Sequence, residues 1–330
     1  MKKLINDPSK VTIESIEGFA LAYPKIVKQV APHVVARRNA PIRGKVGVVV
    51  GGGSGNEPLF IGWVGSGMAD AAVLGDVFTS PAPPFILQAA KAANGGRGIV
   101  FVYGNYAGDN MNFDLASEYA TEEGIENKSV RVWDDVASAP LDRIRDRRGL
   151  AADFFVIKTA GAMAEAGASL TEVVRVAEKA RDNSRTFAVA LSPATVPSSG
   201  NPTFTIGDNE MYFGIGAHGE KGVRKTSLLS ADETAKILTD AVLKDLSLKE
   251  GEEVNMIVNG YGSTTLMELF IVNRKVQELL EKLRIPVHRT EVGNFLTTLE
   301  MAGCSLTLMR LDDELKKCSD APAFTPAYRI

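Results

Sequence analysis

Three short segments place chemically capable side chains among glycines. The first, GVVVGGGSGNEP from Gly47 to Pro58, runs an apolar strand into Gly51, Gly52, Gly53 and Gly55. Glycines at a strand's carboxyl end let backbone amides face a ligand. A helix expected to begin around Glu57–Pro58 would add an N-terminus that favours negative or strongly polar groups. The alternative is a tight turn with no ligand, but glycines this dense cost folding entropy, which favours a ligand loop. The second segment, GNYAGDNMNFD from Gly104 to Asp114, also follows a strand-like run and carries Asp109 in a polar turn. Asp109 reads either as a helix N-cap or as a carboxylate that binds hydroxyls or moves a proton at a strand's carboxyl edge. The third, MYFGIGAHGEKGV from Met211 to Val223, sets His218 among Gly214, Gly216, Gly219 and Gly222. Such small neighbours let a ligand approach the imidazole closely, although a lone loop histidine also reads as a surface residue. Two nucleotide motifs fail. There is no GK[ST] for a P-loop, and Gly53–Pro58 lacks the last glycine of GxGxxG.

The elements that must hold these segments alternate. Strands are expected at 45–50, 71–75, 98–103, 129–133, 153–158 and 186–191, with helices over Ser80–Ala93, Asn112–Glu123 and Ala160–Ala180. Continuous apolar strands between helices argue for a largely parallel sheet covered on both faces. Residues 192–209 are rich in Pro, Ser, Gly and Asn and read as a long irregular connection. Helices then resume at Ala231–Leu246 and Thr265–Leu283, with strands at 254–258, 286–291 and 305–310. The fold class expected is α/β: two α/β domains with mainly parallel or mixed sheets flanked by helices. Residues 1–190 form the glycine-loop domain and 191–330 the domain carrying the histidine, with the boundary near 182–200.

Composition narrows the partners. A formal net charge of −3 gives no basic field for nucleic acid or anionic lipid. No apolar stretch approaches the about 20 residues that span a bilayer. The MKK start lacks the apolar run of a signal peptide, so a cytoplasmic protein is expected. Cys304 and Cys318 read as reduced thiols, and the three histidines, His33, His218 and His288, as too few for a histidine-rich metal centre.

Together the motifs resemble the substrate-binding subunit family of dihydroxyacetone kinases. GGGSGxEP, FTSP (Phe78–Pro81), NYxGDxxNF, DNEM and GxHGExG occur in that family's order, and the likeness runs over nearly the whole chain. The resemblance implies a homodimer whose histidine, here His218, attacks the carbonyl carbon of a short hydroxyketone to give a covalent hemiaminal. It implies that Asp109 binds the substrate hydroxyls and assists proton transfer, and that backbone amides near Gly53 and Ser54 fix the ketone. It further implies no cofactor or metal on this chain. ATP or ADP with magnesium would sit on a separate helical subunit, or phosphate would arrive through a phosphocarrier relay.

The sequence departs from the family at named positions. Asn56 occupies the place of the family's general-base histidine in the substrate site, Gly104 that of a lysine, and Lys221 that of a proline. An amide cannot take up a proton at neutral pH but still exchanges hydrogen bonds. Three readings follow: a kinase subunit for another ketose such as erythrulose, with Asp109 as base; a slower dihydroxyacetone kinase subunit; or a non-catalytic, ligand-sensing co-activator of a transcription regulator.

Overall fold

The structure, a computed structural model, describes residues 2–330. Two compact units emerge: residues up to 132 with 153–180 and 315–330, and residues 133–152 with 181–314. In the first, helix α1 (Val11–Ala22) precedes an antiparallel pair, β1 (Val27–Ala31) and β2 (Val34–Arg37). Four parallel strands follow: β3 (Gly47–Ser54), β4 (Ala71–Val77), β5 (Ile99–Gly104) and β6 (Asn127–Val132). They complete a sheet of order β1-β2-β4-β3-β5-β6.

Helices α2 (Pro83–Ala93) and α3 (Ala107–Glu122) share a core with Val49, Val73, Phe101 and Tyr103. The alternate residues Val48, Val50, Val100 and Val102 are buried too, so both sheet faces are covered. Helix α4 (Asp153–Glu165) packs against β3 and β5 and is followed by α5 (Leu170–Asp182).

Two expectations change here. The run at 153–158 is not a strand but the first part of α4. Every residue from Asp153 to Ala162 is buried, so the helix shows no polar face and its apolar run is indistinguishable in sequence from a buried strand. The single helix expected over 160–180 is two, parted where Gly167 takes φ +80° and its N–H bonds the Ala164 carbonyl, a left-handed helix stop.

The second unit holds β7 (Ser184–Ala190), β8 (Glu210–Phe213), β9 (Arg224–Ser227), helix α6 (Ala231–Leu246), β10 (Val254–Gly260), helix α7 (Leu266–Lys282), β11 (Val287–Gly293) and β12 (Gly303–Arg310). The sheet order is β11-β10-β12-β7-β8-β9, with only β10–β11 parallel. Both helices start with a capping box, Ser230 with Glu233 and Thr265 with Glu268, each cap stabilising its helix by about 1 kcal/mol. Their apolar faces, Leu238, Val242, Leu269, Val276 and Leu280, pack on Val189, Met256, Val258, Leu306 and Leu308.

A linear division near residue 190 does not describe these units, because β7 pairs with β12 in the second sheet and α8 (Asp313–Asp320) leads the last residues back to the first unit. Residues 133–152 are likewise an insertion of the second unit. Asp134 accepts the Leu150 and Ala152 N–H groups at 2.7 and 3.0 Å and the Thr186 hydroxyl. Arg147 forks onto Asp245 at 2.8 and 2.7 Å. These polar anchors fix the insertion onto its sheet.

No helix among the described residues is long and apolar enough to cross a membrane. Cys304 and Cys318 are buried and form no disulfide, and burial pushes the Cys304 thiol up to about 12. Neither thiol should therefore react with a chromogenic disulfide reagent at pH 8 in the folded protein, and both should react in denaturant. Rapid labelling of the native protein would contradict this packing.

Candidate functional site

Gly53, Ser54, Asn56 and Asp109 all lie at the carboxyl ends of β3 and β5 in the first unit. These two strands are parallel neighbours, and their onward connections leave in opposite directions, β3 to β4 and β5 to β6. Such a switch point opens a crevice beyond the strand ends.

The glycines of β3 are explained first by packing. A Cβ at Gly51 would fall 2.4 Å from the Val73 carbonyl oxygen, and one at Gly53 would fall 2.7 Å from the Thr79 nitrogen and 2.9 Å from the Phe78 Cα. The Phe78–Pro81 segment thus lies directly against Gly53. Only Gly55, at φ +93°, is required by backbone conformation. No α-helix begins at Glu57–Pro58. The chain turns there, with the Gly55 N–H donating to both Glu57 carboxylate oxygens at 3.1 Å, and a 3-10 turn at Ile61–Trp63 leads on towards β4. Leu59, Phe60, Ile61, Trp63 and Val64 are all buried, so this stretch has no polar face to present as a surface helix. Burial raises the Glu57 carboxyl above its usual range in spite of the Gly55 N–H.

Ser54 and Asn56 are buried, at 5% and 2% exposure. The Ser54 hydroxyl donates to the Gly75 carbonyl at 2.6 Å, tying β3 to β4. Asp109, 6% exposed, is not the N-cap of α3; Tyr106 is, and it makes no side-chain cap bond. Asp109 instead stands in the first helical turn, where the helix dipole favours a carboxylate. Helix α3 begins earlier than expected from Asn112, at Ala107. Sequence reading missed Ser80. Its hydroxyl oxygen is buried without a hydrogen-bond partner, and its Cβ would stand 3.4 Å from a Cβ at Gly108, beside Asp109. Its signal was the FTSP segment. A Cβ at Gly104 would lie 3.4 Å from Asp153 Oδ2 and from the Tyr106 ring.

His218 belongs to the second unit, in the loop from Gly214 to Val223 that joins β8 to β9. Its side chain is 19% exposed, and its Nδ1 lies 3.2 Å from Glu220 Oε1. The other carboxylate oxygen accepts the His218 backbone N–H at 2.9 Å. Burial would raise the Glu220 carboxyl, but His218 and Arg148 outweigh it and hold the group at about 2. Glu220 also went unrecognised in sequence, although it stands two residues from the histidine in GxHGExG.

The loop is braced from β10. Asn259 accepts the Phe295 and Leu296 N–H groups at 2.8 and 3.0 Å. In the same stretch Thr298 donates its hydroxyl to the Ala217 carbonyl at 2.6 Å. The other histidines have structural settings. His33 Nδ1 lies 2.7 Å from the Leu74 carbonyl, and His288 lies within β11.

Residues 17–327 match the family model of the Dak1 domain. The chain belongs to the Dak1 family. It is 40% identical over 332 residues to "PTS-dependent dihydroxyacetone kinase 2, dihydroxyacetone-binding subunit DhaK" of Listeria innocua, over the full length of both. It is 45% identical over 329 residues to the D-erythrulose kinase of Mycolicibacterium smegmatis, covering all of this chain and 57% of that one. Among solved structures, "Dihydroxyacetone kinase operon co-activator Dha-DhaQ" matches with a TM-score of 0.90 and 31% identity, over 96% of this chain and 98% of that one.

Gly53→Ala should destabilise this Dak1 chain by about 1–3 kcal/mol, because its Cβ meets backbone rather than a movable side chain. Chemical denaturation measures this, and an unchanged midpoint would show that the Phe78–Thr79 segment does not press on β3.

Proposed function

We propose that this chain is the substrate subunit of a short-hydroxyketone kinase, holding the ketose as a hemiaminal on His218. The Glu220 contact at His218 Nδ1 carries the reading. A carboxylate at Nδ1 holds the ring proton there and leaves the Nε2 lone pair to attack. Nε2 bonds the keto carbon, and the carbonyl π electrons move to oxygen. The oxygen gains a proton as the ring loses the one on Nδ1, so the adduct is neutral with no leaving group. Glycerol, with no carbonyl carbon, is excluded by the same chemistry.

Asp109, with the backbone near Gly53 and Ser54 and the amide of Asn56, would bind the hydroxyls, and Asp109 would take the proton of the hydroxyl to be phosphorylated. The names of the relatives, a dihydroxyacetone-binding subunit and an erythrulose kinase, support a ketose of three or four carbons. The phosphoryl donor would sit on a helical partner subunit, as ATP with magnesium or as a phosphocarrier relay, and this chain would pair as a homodimer in the cytoplasm.

A second reading is favoured by Asn56, which lacks the basic nitrogen of the family's histidine, together with the likeness to the co-activator. In that reading the chain captures ketose without turnover and binds a transcription regulator.

Calorimetry with dihydroxyacetone and erythrulose should show binding by the parent and at least about tenfold weaker binding by His218→Ala, a loss of about 1.4 kcal/mol. Equal affinity would remove the covalent step. With a cognate nucleotide subunit present, Asn56→His should raise turnover by about 10² or more by supplying a general base. No phosphorylation by either form would leave the sensor reading standing.

A further inference from the structure

The insertion 133–152 brings two charged residues to the His218 loop. Arg148 Nε and Nη2 donate to Asp135 Oδ2 at 2.9 and 2.7 Å, and Nη2 also donates to the Gly214 carbonyl at 3.2 Å. The Asp135 side chain has no exposed surface, and its second oxygen accepts the Ala137 N–H at 3.0 Å. Gly216 marks where Arg148 meets the histidine's partner. A Cβ there would fall 2.1 Å from Glu220 Oε2 and 2.7 Å from Arg148 Nη1, so both groups converge on one spot that only glycine leaves open.

We propose that Arg148 is a positioning residue: held by Asp135 and the Gly214 carbonyl, it keeps Glu220 turned onto His218 Nδ1 and so keeps the ring proton on Nδ1, the tautomer whose Nε2 carries the nucleophilic lone pair. The electrostatics agree with this geometry. Burial, aided by neighbouring Asp134, pushes the Asp135 carboxyl up to about 6 against the pull of Arg148. At neutral pH the pair is therefore ionised, and the guanidinium is anchored on one side while it acts on Glu220 from the other. Without Arg148, Glu220 would keep only His218 as a counterweight to its burial. The proposal rests on the hemiaminal reading for its purpose, but not for its test.

The test is the tautomer of His218 in the ligand-free chain, read by long-range proton–nitrogen correlation at about pH 9, where an ordinary imidazole is neutral. With three histidines in the chain, His218→Ala assigns the signal. The parent should show the proton on Nδ1. Arg148→Met should shift the majority to the Nε2–H form and weaken ketose capture about tenfold. Arg148→Lys, which keeps the charge, should restore most of the Nδ1–H form. Gly216→Ala provides an independent arm that keeps every charge but drives a methyl between the two groups, and it should reproduce the Met variant. It also keeps the question answerable if Arg148→Met does not fold. An unchanged tautomer in the folded variants overturns the proposal. A tautomer shift in a protein whose parent captures no ketose would instead uphold the role of Arg148 and sink the hydroxyketone reading.

Discussion

A carboxylate taken out of water protonates unless positive charge or donors hold it ionised. The His218 loop is organised around that constraint. Glu220 is drawn into the loop, where burial works against its charge, and it stays ionised because the imidazole and Arg148 face it. Arg148 in turn is fixed by Asp135, whose own burial is only partly offset by the same guanidinium and the Ala137 N–H. Each charge is stabilised by the next, so in our proposal the ring's setting is a property of the whole set rather than of one contact.

Each unit, taken by itself, carries its own candidate groups. The first offers rigid strand ends: buried backbone of β3, the Ser54 and Ser80 hydroxyls, and Asp109 at the positive end of α3. The second offers an imidazole on an irregular loop that would be mobile without bracing. Asn259 and Thr298 brace it from the sheet, and the 133–152 insertion braces it through Arg148. Arg147 and Asp134 belong to this arrangement because they hold the insertion in place.

The candidate residues and several elements are legible in the sequence. His218, Asp109 and the glycine loop stand in recognisable order, and the capping boxes of α6 and α7 announce those helices almost to the residue. What misleads is burial. DFFVIK shows no alternation because α4 is enclosed on every side, and the glycines of β3 look like a ligand loop although most of them admit neighbouring backbone and the Phe60 ring. Local pattern reports how a segment meets water, and a segment that never meets water leaves no pattern.

By itself the sequence determined which side chains are available: an imidazole among glycines, a carboxylate after a strand, and an amide in the glycine loop. Tertiary structure alone decided which nitrogen of that imidazole meets a carboxylate, because Glu220 stands at Nδ1 and Arg148 reaches the same spot beside Gly216. Arg148 stands 70 positions before the histidine and reaches the loop only through the insertion. Spacing along a chain cannot encode that meeting, since it depends on where the insertion is anchored and not on how many residues intervene.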